Sequence, residues 1–112
     1  MSVQPQAGPA SQSSGTAMHA SIWRFRGDPD DLLPRYDAMA AEISESSFLF
    51  HACLAAADGL VVVDTCPSQE AFREFVDAEW FQEMLTRHGL PAPEVEDHPV
   101  HVAVAAGQRV QP

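Results

Sequence analysis

The residues best suited to chemistry lie on short apolar segments with the composition of strands. His51 follows the apolar run that begins at Phe48, Asp64 follows Val61–Val63, and His101 lies within the stretch VHVAVA. An imidazole titrates near neutral pH and can therefore accept and return a proton, and a neighbouring carboxylate can orient it. We predict His51 as a general base, with His101 or Asp64 as its helper.

Side-chain alternation decides which of these residues can meet, because every second residue of a strand faces the same side of a sheet. Each predicted strand has one nearly apolar set of residues and one set that carries the polar groups. If all the mixed sets share one sheet face, that face holds His19, Ser21, Trp23, His51, Cys53, Asp64, Cys66 and His101. Register decides whether they do, and the sequence does not give it.

A small-molecule pocket needs large apolar walls around a few polar groups. The aromatic residues that we expect to form such walls are Trp23, Tyr36, Phe72 and Trp80. A plainer interpretation stays open for each candidate: an aromatic stripe on a helix also packs a core, and a strand histidine or a strand-end aspartate also serves structure.

A metal site is the alternative use of the same polar residues. His51 and Cys53 share a face, and Asp64 and Cys66 could join them in a mixed nitrogen, sulfur and oxygen site. The spacing matches no recognised metal motif, and the chain has no glycine-rich phosphate loop or Gly-x-Ser-x-Gly elbow. We therefore predict neither a metal nor another cofactor.

The elements that must position these residues follow in the order βαββαβ. The apolar patterns predict strands over 18–25, 48–55, 60–66 and 95–105, and the last is best defined over 100–105. The caps predict one helix from Asp28 to about Ser44 and a second from Ser68 to Gly89. The second helix could break at DAEWF. Asp58-Gly59 is a hairpin signal between the second and third strands. This order predicts an α+β, ferredoxin-like fold: a four-stranded antiparallel sheet with the helices on one face.

The third strand indicates how the sheet is covered. Leu60–Cys66 is apolar on both sides of its pleat, which is typical of a strand with both faces covered. The helices of so short a chain cover one face, so we expect a second copy to cover the other, giving a homodimer. We predict one domain over residues 18–106, a disordered tail over 1–17 and a C-terminal tail over 107–112.

Charge and composition exclude several classes of partner. The 112 residues carry a formal net charge of −10 and include no lysine. Such a surface repels phosphate backbones and anionic lipids, so we expect neither nucleic acid nor a membrane as partner. Two cysteines form no disulfide framework, no apolar stretch is long enough to span a membrane, and the N-terminus lacks a secretion-signal pattern. We therefore expect a cytoplasmic protein.

Three stretches resemble a known family. WRFRGDPDDLLPRYD, DGLVVVDTCPSQEAFREF and HGLPAPEVEDHPVHVAV are similar to sequences of the dimeric α/β-barrel superfamily, in its antibiotic-biosynthesis-monooxygenase-like branch, over about residues 18–105. The resemblance implies a barrel made from the sheets of two subunits and a pocket between sheet and helices in each. Members of the superfamily include cofactor-independent oxygenases of aromatic polyketides, cyclases, isomerases and haem-degrading enzymes, and some have no known activity.

Two functions from different classes follow. The resemblance and the placement of His51 favour a small cofactor-independent enzyme of secondary metabolism, an oxygenase, cyclase or isomerase acting on an aromatic or polyketide-like substrate. The alternative is a non-catalytic dimer that binds an apolar or aromatic small molecule or serves as an accessory protein. A structural dimer with a filled core is a third possibility.

Overall fold

A computed structural model describes residues 18–44 and 49–110 of the chain. Along these residues run β1 His19–Arg26, α1 Pro29–Ala40, β2 His51–Ala56, β3 Gly59–Cys66, α2 Gln69–Val76, α3 Glu79–Arg87, β4 Glu94–Pro99, β5 Ala103–Ala105 and β6 Gln108–Val110. The first seven elements form the predicted α+β fold, with the second helix divided in two. The tail predicted for residues 1–17, together with Phe48, lies outside the described residues.

The main sheet has four antiparallel strands in the order β2-β3-β1-β4. The β2–β3 hairpin turns at Ala57-Asp58 and pairs Ala56 with Gly59. Only glycine fits at position 59, because its φ is +149° and a Cβ there would lie 1.9 Å from the carbonyl oxygen of Phe25. This turn sets the register that brings His51 opposite Asp64.

Local sequence signals begin and end the helices. Asp28 caps α1 by accepting a hydrogen bond from the backbone N–H of Asp30, and Ser68 caps α2 by accepting from Ala71. The predicted break at DAEWF is present, since α2 ends at Val76 and α3 begins at Glu79. The first helix ends at Ala40, four residues earlier than predicted.

The helices pack on one face of the sheet, here called the helix-covered face. Trp23 and Phe25 of β1 and Leu60 and Val62 of β3 point to it and join the buried core. The helices and the loop after α3 complete that core with Leu32, Tyr36, Met39, Phe72, Phe81, Met84, Leu85 and Leu90. Burial of this apolar set is the main contribution to the stability of the fold.

The opposite side, here called the open face, is apolar over its centre and charged at one edge. Leu54 is 50 % exposed there and Phe50 is 47 % exposed. Along the β4 edge, Arg24 lies 3.7 Å from Glu96 and His98 lies 3.1 Å from the same carboxylate. Charged side chains are a common protection of an edge strand against pairing with another chain.

The C-terminal part of the chain departs from prediction. The fourth strand of the sheet is Glu94–Pro99, which matches the first part of the predicted strand 95–105, and its predicted best-defined part, Val100–Ala105, is not in the sheet. The sequence EVEDHP pairs with β1 despite its charge. Ala103–Ala105 pairs instead with Gln108–Val110, a segment predicted to be a tail. The turn between them has positive φ at both Ala106 (53°) and Gly107 (79°), as a tight two-residue hairpin turn requires.

Candidate functional site

Polar residues form a row across the helix-covered face. Strand pairing places His51 of β2 opposite Asp64 of β3, Asp64 opposite Ser21 of β1, and Ser21 opposite Asp97 of β4. Directly paired residues share a face of the sheet, so the row confirms the predicted placement of His51, Asp64 and Ser21 together. Asp97 joins them because β4 lies earlier in the sequence than predicted.

His51 lies between two polar neighbours. Its Nε2 is hydrogen-bonded to the hydroxyl of Tyr36 on α1, and its Nδ1 lies 3.6 Å from Oδ1 of Asp64. The two rings are nearly parallel, with an interplanar angle of 10° and centroids 6.1 Å apart. Tyrosine, histidine and aspartate therefore form a chain in which a proton can be held or passed on.

Burial raises the pKa of both Asp64 and Tyr36, the two residues on either side of His51. The pKa of Asp64 is raised chiefly by its removal from water, although the nearby His51 and a 2.9 Å hydrogen bond from the N–H of Thr65 favour the carboxylate. The pKa of Tyr36 is raised to about 12, first by burial and then by the negative charge of neighbouring groups. Asp64 is thus a stronger base than an exposed aspartate, and Tyr36 keeps its proton at neutral pH.

A cavity of about 300 Å³ opens beside Asp64, between the end of β3 and the helices. Its walls are mostly apolar and consist of Ile43, Asp64, Thr65, Cys66, Pro67, Ala71, Phe75 and Trp80. A concave apolar space with one basic carboxylate in its wall has the character of a small-molecule site.

The four predicted wall residues have different positions. Trp80 lines the cavity and is 55 % exposed, so it is accessible from solvent. Trp23 and Phe72 are buried core residues in edge contact with each other, and Trp23 donates its indole N–H to Ser21 at 2.8 Å. Tyr36 is also buried, and its hydroxyl contacts His51. Sequence reasoning missed this contact, because no local pattern reports which strand residue a helix meets.

The predicted position of His101 on the sheet is wrong. The residue lies in an exposed bend after β4, because the sheet takes Glu94–Pro99 as its fourth strand. The structure therefore brings His51 and Asp64 together and leaves His101 outside the row.

A second histidine–aspartate pair occupies the other side of the row. His19 of β1 donates from Nδ1 to Oδ2 of Asp97 at 2.7 Å, and both side chains are largely buried. Sequence reasoning placed His19 on this face but missed Asp97. The signal was present, since Asp97 is the polar residue two positions after Val95 in a segment of strand length.

The two thiols have the character of unreactive groups. Burial raises the pKa of Cys53, and burial with the charges of Asp64 and Asp97 raises the pKa of Cys66 to about 11. In residues 18–44 and 49–110, no three or more His, Cys, Asp or Glu side chains converge in a way that could hold a metal ion. None of the described helices is long and apolar enough to cross a membrane.

Comparison with known proteins gives likeness in structure alone. No protein-family model matches the chain, and no curated protein matches it significantly. Among solved structures, SnoaB, a cofactor-independent oxygenase from Streptomyces nogalater, is similar with a TM-score of 0.57 and 18 % identity over 76 % of this chain and 94 % of its own.

Two further solved structures are similar to the same extent. A proposed antibiotic biosynthesis monooxygenase from Chloroflexus aurantiacus has a TM-score of 0.56 and 16 % identity over 81 % of this chain and 100 % of its own. One from Caulobacter crescentus has a TM-score of 0.58 and 14 % identity over 78 % of this chain and 92 % of its own. The chain therefore has the ferredoxin-like fold of antibiotic-biosynthesis-monooxygenase-like proteins, as predicted.

Proposed function

We propose that this protein is a small cofactor-independent enzyme that removes a proton from an apolar, aromatic or polyketide-like substrate. The observation that carries the proposal is the position of Asp64, which lines the 300 Å³ cavity and lies 3.6 Å from His51, with a raised carboxyl pKa. The likeness to a cofactor-independent oxygenase supports this class of reaction.

We propose a different division of roles between His51 and Asp64 from the one that the sequence predicts. His51 was predicted as the base, but Asp64 lines the cavity whereas Nε2 of His51 is engaged by Tyr36. We therefore assign proton acceptance to Asp64, while His51 behind it stabilises the carboxylate and orients it. A positioned base of this kind contributes about 100- to 10,000-fold to a rate.

The proposed step leaves the electron pair on the substrate. A proton passes from an acidic C–H or O–H group to Asp64, and the resulting enolate or phenolate either rearranges, as in a cyclase or isomerase, or is oxidised by dioxygen, as in an oxygenase. The apolar walls, including Trp80 and Phe75, would hold the ring system next to Asp64.

The proposal includes a homodimer in the cytoplasm. Exposed apolar residues on the open face, such as Phe50 and Leu54, are the surface that a second copy would cover. Val104 of β5 and Val102 just before it line a groove of about 230 Å³ that also includes Val63 of the sheet. Large exposed apolar patches commonly mark protein–protein interfaces.

A non-catalytic binding protein is the second candidate. The observation that favours it is the composition of the cavity, whose lining has Asp64 as its only carboxylate and no histidine among the described residues. Such a site can hold an aromatic ligand without transforming it.

Native mass spectrometry of the purified protein is the first test, because it reports subunit number and retained ligand together. Next, the protein is incubated in air with hydroxylated polycyclic aromatics, and the products are measured by mass spectrometry. We expect turnover by the wild type and by Asp30→Asn, an exposed control with the same change of charge, and its loss in Asp64→Asn. Ligand binding without product in the wild type would favour the binding protein.

A further inference from the structure

Tyr36 is placed to act on the site through His51. The residue is 6 % exposed, and its ring is packed in the core between α1 and the sheet. Its hydroxyl meets Nε2 of His51, on the side of the imidazole away from Asp64. Tyr36 therefore contacts His51, a residue of the proposed proton-transfer site, without itself lining the cavity.

The position of the proton on the His51 imidazole determines whether an N–H group or a lone pair faces the carboxylate of Asp64. A neutral histidine carries one proton, on either Nδ1 or Nε2, and the hydrogen bond made by one nitrogen sets the state of the other. With the proton on Nδ1, an N–H dipole points at the carboxylate 3.6 Å away. With the proton on Nε2, a lone pair points at it instead and repels the charge.

A buried phenol is a suitable donor for this purpose. Burial and the nearby groups Asp37, Cys53 and Asp64 raise the pKa of Tyr36 to about 12, so its hydroxyl holds a proton throughout the physiological range. A protonated phenol can donate or accept, so the direction of this hydrogen bond follows from the other side of the ring. Because Nδ1 faces the carboxylate of Asp64 at 3.6 Å, a proton on Nδ1 is favoured there, and Nε2 then has a lone pair that accepts from the Tyr36 hydroxyl.

We propose that Tyr36 is a positioning residue, which donates its hydroxyl proton to Nε2 of His51 and so holds the neutral imidazole in the Nδ1–H form that faces Asp64. The consequence for chemistry rests on the proposed function, since it matters to a rate only if Asp64 accepts a proton. The tautomer itself does not depend on any activity.

The test determines which ring nitrogen of His51 carries the proton in solution. In protein labelled with ¹⁵N-histidine, long-range ¹H–¹⁵N correlation spectra separate protonated from unprotonated ring nitrogens, and a His51→Gln variant identifies the signals of His51 among the five histidines. For the wild type with His51 in its neutral form, we expect the Nδ1–H pattern. An Nε2–H pattern would overturn the proposal.

Removal of the Tyr36 hydroxyl is the second part of the test. Tyr36→Phe keeps the ring and its packing, and we expect it to move His51 towards the Nε2–H form. Thr86→Val is the control, because it removes a hydroxyl that donates to the backbone carbonyl of Gln82 on the exposed side of α3. An unchanged Nδ1–H pattern in a folded Tyr36→Phe protein would show that another group holds the tautomer and would overturn the proposal.

Kinetics separate this inference from the proposed function. With a turned-over substrate, Tyr36→Phe should lower kcat about 10- to 100-fold and leave KM nearly unchanged, as expected for a residue that acts through another. An Nδ1–H form without turnover of any substrate would contradict the proposed function and leave the tautomer assignment intact. A lost Nδ1–H form with unchanged kcat would contradict the positioning role.

Discussion

Two histidine–aspartate pairs on one sheet face have different surroundings. His19 and Asp97 are in direct contact at 2.7 Å and are largely buried. His51 and Asp64 are 3.6 Å apart, Asp64 lines a cavity, and His51 is also bonded to Tyr36. The same residue types thus form a closed pair on one side of the sheet and an open pair on the other.

The difference in surroundings indicates which histidine–aspartate pair serves the structure and which is suited to chemistry. In the closed pair, Asp97 uses Oδ2 for His19, and its Oδ1 is buried without a hydrogen-bond partner in the described part of the chain. Removal of either partner leaves a polar group stranded in the core. In the open pair, Asp64 lines the cavity, so we expect a molecule that enters to meet this residue.

The largest expected effect breaks the open pair. Asp64→Asn keeps the shape of the side chain and its hydrogen bond from Thr65 but removes the base. We expect turnover to fall by about 100- to 10,000-fold while the melting temperature stays the same or rises, because a buried charge has been removed. Product formation and thermal unfolding of the same preparation check the prediction.

For the closed pair we expect the opposite result, a loss of stability when Asp97 is replaced. Asp97→Ala strands His19, and we expect it to lower the free energy of unfolding by about 3 kcal/mol, measured by urea denaturation. The control is Asp31→Ala, which breaks an exposed pair with Arg35 at 3.4 Å and should cost less than about 1 kcal/mol. Equal costs for the two variants would show that the closed pair is not structural.

The cavity gives a smaller and more specific prediction. A bound aromatic ligand should shift the NMR signals of His51 and leave those of His19 unchanged, because only the open pair adjoins the cavity. Trp80→Ala should weaken binding about tenfold by removing an aromatic wall. Val95→Ala removes another exposed apolar side chain and should leave affinity unaltered. Loss of affinity in Val95→Ala but not Trp80→Ala would place the ligand elsewhere.

The sequence predicted those parts of the site that depend on local rules. Strand alternation assigns His51 and Asp64 to the polar sets of their strands, and the Asp58-Gly59 signal predicts the hairpin that joins those strands. The register that pairs the two residues comes from the structure, where the turn is Ala57-Asp58. The fourth strand depends on long-range pairing, and there the apolar run at Val100–Ala105 was a stronger local signal than the charged EVEDHP that pairs with β1. The contact between Tyr36 and His51 is between a helix and a strand, and no spacing in the sequence encodes it.

The smallest effect sharpens the same comparison through pH. Because the pKa of Asp64 is raised in the folded state, the folded protein binds more protons than the unfolded chain between the ordinary carboxyl value, 3.8, and the raised value. The free energy of unfolding contributed by Asp64 therefore falls as pH rises through that window and is constant above it. Asp64→Asn has no such titration.

The stability advantage of Asp64→Asn over the wild type should accordingly be smallest below about pH 3.8, grow with pH across the window and then level off. Urea denaturation of both proteins at a series of pH values measures it. An advantage that shrinks as pH rises would mean that the fold stabilises the carboxylate of Asp64 more than water does. The open pair would then be a second structural ion pair, and Asp64 would lose the basicity on which its proposed role depends.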